Sequence, residues 1–116
     1  MDYSSAHRLA QDIRGSEEYK TYHELKDSVM SDETTTALIR EYRKLQMTLQ
    51  MAAVSGQSAD ADAMQRFSGI STLLFSKQEV SNYLVAEMRM QQAMADIFRI
   101  VTEAADMDLA IPGIEG

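Results

Sequence analysis

The chain has 116 residues, with 11 Lys+Arg against 18 Asp+Glu, a net charge of −7, no Cys and one Pro. That length fits a single domain, and 45% hydrophobic residues is too apolar for a chain disordered by composition. The missing cysteines exclude disulfides, thiolate zinc sites, cysteine-ligated iron–sulfur clusters and cysteine nucleophiles, and the acidic balance disfavours a direct grip on nucleic-acid phosphates or anionic membranes.

The start, MDYSSAHRLA, has an acid at position 2 and no apolar run after a basic opening, so no secretory signal is expected. No run of about 20 apolar residues could span a bilayer, and a cytoplasmic location is expected. Gly and Pro are absent between Gly15 and Gly56 and again between Gly69 and Pro112. Such stretches, rich in Ala, Leu, Met, Glu, Gln, Lys and Arg, favour helix.

The first helix is predicted from about Ser4 to Arg14, where Ala6, Leu9, Ala10 and Ile13 recur at three and four residues. Gly15 ends it. Ser16 is a natural N-cap for a second helix, with Glu17 and Glu18 suited to its positive end at about 0.3–1 kcal/mol each. Tyr19, Tyr22, Leu25, Lys26 and Val29 form the stripe of that helix. Ser31-Asp32-Glu33 reads as a second stop and start, with Ser31 as the capping residue. The third helix is predicted from about Asp32 to Ser55, roughly 35 Å at 1.5 Å per residue. Its residues Leu38, Tyr42, Leu45, Leu49 and Ala52 are spaced as a heptad seam. Met47, Met51 and Val54 widen the stripe, so more than one neighbour is expected. Gly56 suits the position just past the helix end.

Residues 57–60 read as a polar loop, and Ala61 to Phe75 as a fourth helix carrying Met64, Phe67, Ile70, Ser71 and Leu74 on one side. Gly69 inside it costs about 1 kcal/mol relative to Ala and marks a bend or a close helix contact. Ser76-Lys77-Gln78-Glu79 matches a capping box, and a fifth helix is expected from about Lys77 to Ala105. Val80, Leu84, Met88, Met94, Ile97, Phe98, Val101 and Ala105 give it a broad apolar face. The acidic tail, 106–116, leaves the helical pattern at Pro112-Gly113 and is expected to be mobile. The fold class is therefore all-α: an elongated bundle of about five helices, the third and fifth long, as one domain over residues 1–105. Extra apolar positions on the long helices exceed what one thin chain can bury, so a homodimer is expected. Leu38, Tyr42, Leu45, Leu49, Met88 and Phe98 are the candidate packing and self-association residues.

No constellation points to catalysis. The only histidines, His7 and His23, belong to no H-x-x-x-H or E-x-x-H pair; Ser4 and Lys20 stand three residues before them. No glycine-rich phosphate loop or G-x-S-x-G elbow occurs. No metal or cofactor is expected, and the chain is read as a non-enzyme. The cluster Arg40, Arg43 and Lys44, beside Glu41, reads as a salt-bridged face rather than a nucleic-acid site. Residues 1–58 carry 7 basic and 9 acidic side chains, and residues 59–116 carry 4 and 9, so the acidity concentrates in the second half. The nine methionines suit a bundle core and a dimer contact, or a partner-binding groove.

The order of elements resembles the YlbF/YmcA family of bacterial regulators. The residues that carry the likeness are Arg14-Gly15-Ser16-Glu17-Glu18-Tyr19-Lys20, Ser31-Asp32-Glu33 and Leu38-Ile39-Arg40-Glu41-Tyr42-Arg43-Lys44-Leu45-Gln46. In the second half they are Gln78-Glu79-Val80-Ser81-Asn82-Tyr83-Leu84 and Glu87-Met88-Arg89-Met90. The resemblance implies a small, helical, cytoplasmic protein that associates with itself and with paralogs. It also implies a non-catalytic adaptor or regulator linked to competence, sporulation, biofilm formation and RNA processing through a membrane-associated endoribonuclease. The best-known complex of the family holds iron–sulfur clusters on cysteines; this chain has none, so that ligation does not transfer. A holding chaperone that binds clients on a Met-rich surface is the alternative.

Overall fold

The computed structural model describes residues 1–58 and 60–106. Five helices follow in order: α1 (Ser4–Arg14), α2 (Glu17–Val29), α3 (Glu33–Ser55), α4 (Ala61–Phe75) and α5 (Gln78–Ala105). No strand occurs among the described residues, so the fold is all-α. The acidic tail lies outside the described residues from position 107 on.

The helix ends show why the chain breaks where it does. Asp2 accepts from the Ser4 amide at 2.9 Å and the Ser4 hydroxyl at 2.6 Å, capping α1 from outside its first turn. Those bonds, the hydroxyl's first, hold the Asp2 carboxyl below its ordinary range. Ser16 caps α2 as predicted, accepting from the Tyr19 amide at 3.2 Å. At α3 the cap is Asp32 rather than Ser31: Asp32 accepts from the Thr35 amide, and the Ser31 hydroxyl turns back onto the Ser28 carbonyl at 2.6 Å. An ionised carboxylate is the stronger acceptor for the positive end of a helix. Gly56 ends α3 at φ 74°, a left-handed conformation natural to glycine. The capping box at 76–79 does not form. The Ser76 hydroxyl donates to the Leu73 carbonyl at 2.7 Å, and Glu79 accepts from the Ser28 hydroxyl instead.

The chain divides into two compact units. The central unit, Glu24–Tyr83, is contiguous and contains the end of α2, all of α3 and α4, and the start of α5. Val29, Ile39, Leu45, Leu74, Val80 and Tyr83 are its buried apolar side chains. α3 and α4 pack against each other as a helical hairpin. Tyr42 of α3 stacks on Phe67 of α4 with ring centroids 5.1 Å apart and meets Phe75 edge-on at 6.1 Å. Each such pair contributes about 0.5–1.5 kcal/mol beyond its area burial. The buried Tyr83 hydroxyl accepts from Arg43 at 3.1 Å, which satisfies the phenol inside the core. Thr35, also buried, donates to Asp32 at 2.5 Å and accepts from Lys77 at 3.2 Å.

The terminal unit combines Met1–His23 with the chain from Leu84 onward. It holds α1, the first part of α2 and most of α5, with Ala86 buried and Leu9, Ile13, Tyr19, Met90, Ala93 and Ile97 half-buried.

Candidate interaction site

Helical periodicity sorts the α3 side chains into two faces about 180° apart. Leu38, Tyr42, Leu45 and Leu49 share the inner face. Leu45 is buried, and the other three are half-buried. The sequence groups Met47, Met51 and Val54 with this stripe as a widening of it. The structure places them on the outer face, 63%, 66% and 90% exposed. At 100° per residue they fall opposite Leu38 and Leu45, so the hairpin partner α4 leaves them bare. Arg40 and Lys44, both exposed, lie about two turns and one turn before Met47 on the same outer face. Arg43 turns inward to Tyr83, and Glu41 is engaged by Arg66 at 2.6 Å. The basic cluster is thus only partly a salt-bridged face.

The other two candidate residues, Met88 and Phe98, lie on α5 in the terminal unit. Met88 is exposed and Phe98 half-buried. The structure therefore gathers four of the six on one helix face and leaves these two apart from each other on another helix. Tyr83 and Ile39, both fully buried, are residues that the sequence reading passed over; for Tyr83 its place three residues after Val80 on the same helix was the available signal, and for Ile39 its place three residues before Tyr42.

The terminal unit also carries a cleft of about 190 Å³. Leu9 and Ile13 of α1 and Met90, Ala93, Met94 and Ile97 of α5 form its apolar walls, with Asp12, Ser16 and Glu18 at the polar margin. On α2, the His23 ring sits 4.3 Å from that of Tyr19 and edge-on to Tyr22 at 5.6 Å. Among the described residues no group of three or more His, Asp or Glu is arranged to hold a metal ion. None of the described helices is long and apolar enough to cross a membrane.

Comparison with known proteins agrees with this architecture. The family described as "Control of competence regulator ComK, YlbF/YmcA" matches residues 3–105, which span both units. The chain is 35% identical over 99 residues to a UPF0342 protein of Halothermothrix orenii, covering 85% of this chain and 84% of that one. It is 27% identical over 107 residues to a UPF0342 protein of Symbiobacterium thermophilum, covering 92% and 96%. A solved DUF964 protein from Bacillus stearothermophilus shares the fold at a TM-score of 0.69 and 20% identity, over 90% of this chain and 91% of that one.

Proposed function

Because this chain belongs to the YlbF/YmcA family of competence-control regulators, we propose that it is a non-catalytic cytoplasmic adaptor that acts by protein–protein contact. It works as a homodimer and engages paralogs or an endoribonuclease complex in control of competence, sporulation, biofilm formation or RNA processing. The observation that carries this reading is the outer face of α3, where Met47, Met51 and Val54 stand exposed on a regular helix. Apolar side chains grouped on a rigid helix suit a docking surface better than a solvated one. Met is also the side chain that adapts best to a partner's contour.

The test is an affinity pull-down from the native bacterium, run in parallel with the full-length protein and its Met47→Glu/Met51→Glu variant. Recovery of paralogs or a ribonuclease by the first and not the second supports the adaptor. Equal recovery by both removes the α3 face from the account.

A second reading rests on five exposed methionines, Met47, Met51, Met64, Met88 and Met94, spread over three helices. That distribution also suits a holding chaperone with little client preference. Failure to slow aggregation of an unfolded client would eliminate it.

A further inference from the structure

We propose that the outer face of α3 in one copy seats in the acid-margined cleft of the terminal unit in a second copy, with Met47 entering the cleft and Arg40 and Lys44 meeting Asp12 and Glu18. The proposal rests on the self-association read above and adds which surfaces meet.

Size comes first. A cleft of about 190 Å³ falls below the roughly 300–1,000 Å³ of small-molecule sites. A space of that size suits one long side chain better than a metabolite. Its walls are Leu, Ile, Met and Ala, so the entering group is apolar. Methionine is unbranched and fills such irregular spaces readily.

Charge selects the occupant. Asp12 and Glu18 are exposed and form no ion pair among the described residues. A surface that enters between them therefore needs cations beside its apolar anchor. Every copy is acidic overall, at −7, so two copies repel unless local patches of opposite sign meet. The outer face of α3 is such a patch. Arg40 and Lys44 are exposed and likewise form no ion pair among the described residues. They precede Met47 by about two turns and one turn, roughly 10.5 and 4.5 Å along the axis. The only acid between Arg40 and Val54 is Glu41, and Arg66 holds it. Met64, Ile100 and Val101, also exposed, lack this setting: Met64 on α4 follows Asp60 and Asp62, and Ile100 and Val101 on α5 precede Glu103 and Asp106.

The experiment uses two full-length double variants, Arg40→Glu/Lys44→Glu and Asp12→Lys/Glu18→Lys. All four positions are exposed, and circular dichroism melting confirms that each variant remains folded. Association is measured by sedimentation velocity at low ionic strength. The wild type associates, and each variant alone weakens association by at least about tenfold in Kd, because its faces now carry like charges. Their equimolar mixture recovers wild-type association, since the acidic α3 of one fits the basic cleft of the other and the reverse contact is restored too. Met47→Ala weakens association without any change of charge. Variants that associate as tightly as the wild type, or a mixture no tighter than its components, overturn the docking and leave a dimer through another face standing. A wild type that stays monomeric at its solubility limit overturns both the docking and the homodimer.

Discussion

Replacing Gly69 with alanine should stabilise the protein, although glycine at this position reads from sequence as a bend or a close contact. α4 runs unbroken from Ala61 to Phe75 with Gly69 in its interior, exposed, and a Cβ built there meets nothing within 4 Å. No intrachain contact therefore opposes the methyl group. The gain is that of a helix-interior glycine-to-alanine change, about 0.8–1 kcal/mol, part of it from the lower entropy of the unfolded chain. For a domain near this size that corresponds to a rise of about 4 °C in Tm. In urea, with a slope near 2 kcal/mol/M, the midpoint moves up by about 0.5 M. Equilibrium denaturation by urea, followed by circular dichroism at 222 nm, reads the shift, and an unchanged slope shows that the surface exposed on unfolding is the same in both proteins. A lower midpoint would refute the reasoning, because it requires a neighbour at Gly69 that this chain does not supply. Weaker self-association alongside higher monomer stability would instead place Gly69 against a second copy.

The inner face of α3 gives a sharper loss. Leu45→Asp puts an uncompensated charge at a buried position and should cost about 3–5 kcal/mol, whereas Met47→Asp, two residues on and exposed within the chain, should leave the urea midpoint nearly unchanged at protein concentrations too low for self-association; equal effects there would remove the two-faced reading. Ser71→Ala should raise stability by about 1 kcal/mol in the same assay, because the Ser71 hydroxyl is buried with no partner among the described residues. Asp32→Ala should lower Tm at neutral pH by removing the α3 cap. The Thr35 hydroxyl bond comes first among the causes that hold the Asp32 carboxyl below its ordinary range. Its contribution is therefore present above the usual aspartate range and fades as pH falls through the lower folded value. Wild-type and variant Tm should converge in acid, and a constant gap from pH 7 to pH 2 would show that the carboxylate is not the cap.

The helices were legible because their determinants are local. Ser16 and Gly56 act through the first or last turn of their own helices, and the scarcity of Gly and Pro leaves few other breaks. The capping box at Ser76 and Glu79 misled because its resolution is not local: Glu79 is taken by Ser28, at the end of α2. The α3 seam illustrates a different limit. The spacing of Leu38, Tyr42, Leu45 and Leu49 marks an inward face, but spacing alone does not say whether the same chain or a second copy covers it. Phe67 and Phe75 of α4 are what meet Tyr42. Met47, Met51 and Val54 had to be assigned to a face by angle, and hydrophobicity alone drew them to the wrong side. The cleft was not legible at all, since it brings Leu9 and Ile13 to Met90 and Ile97 from opposite ends of the chain.

That separation bears on the order in which the molecule is built. The central unit draws only on residues 24–83, so every side chain of its core has left the ribosome once Tyr83 has emerged. The terminal unit is assembled from both ends of the chain, and α1 must wait for the middle of α5 before its apolar face has a partner. Joining them closes a loop that spans the whole central unit, at an entropic cost that grows only logarithmically with loop length and falls once the intervening chain is already compact. During synthesis the nascent chain thus exposes Leu9 and Ile13 longest, and those two residues are where a trigger-type chaperone or a premature intermolecular contact would first take hold.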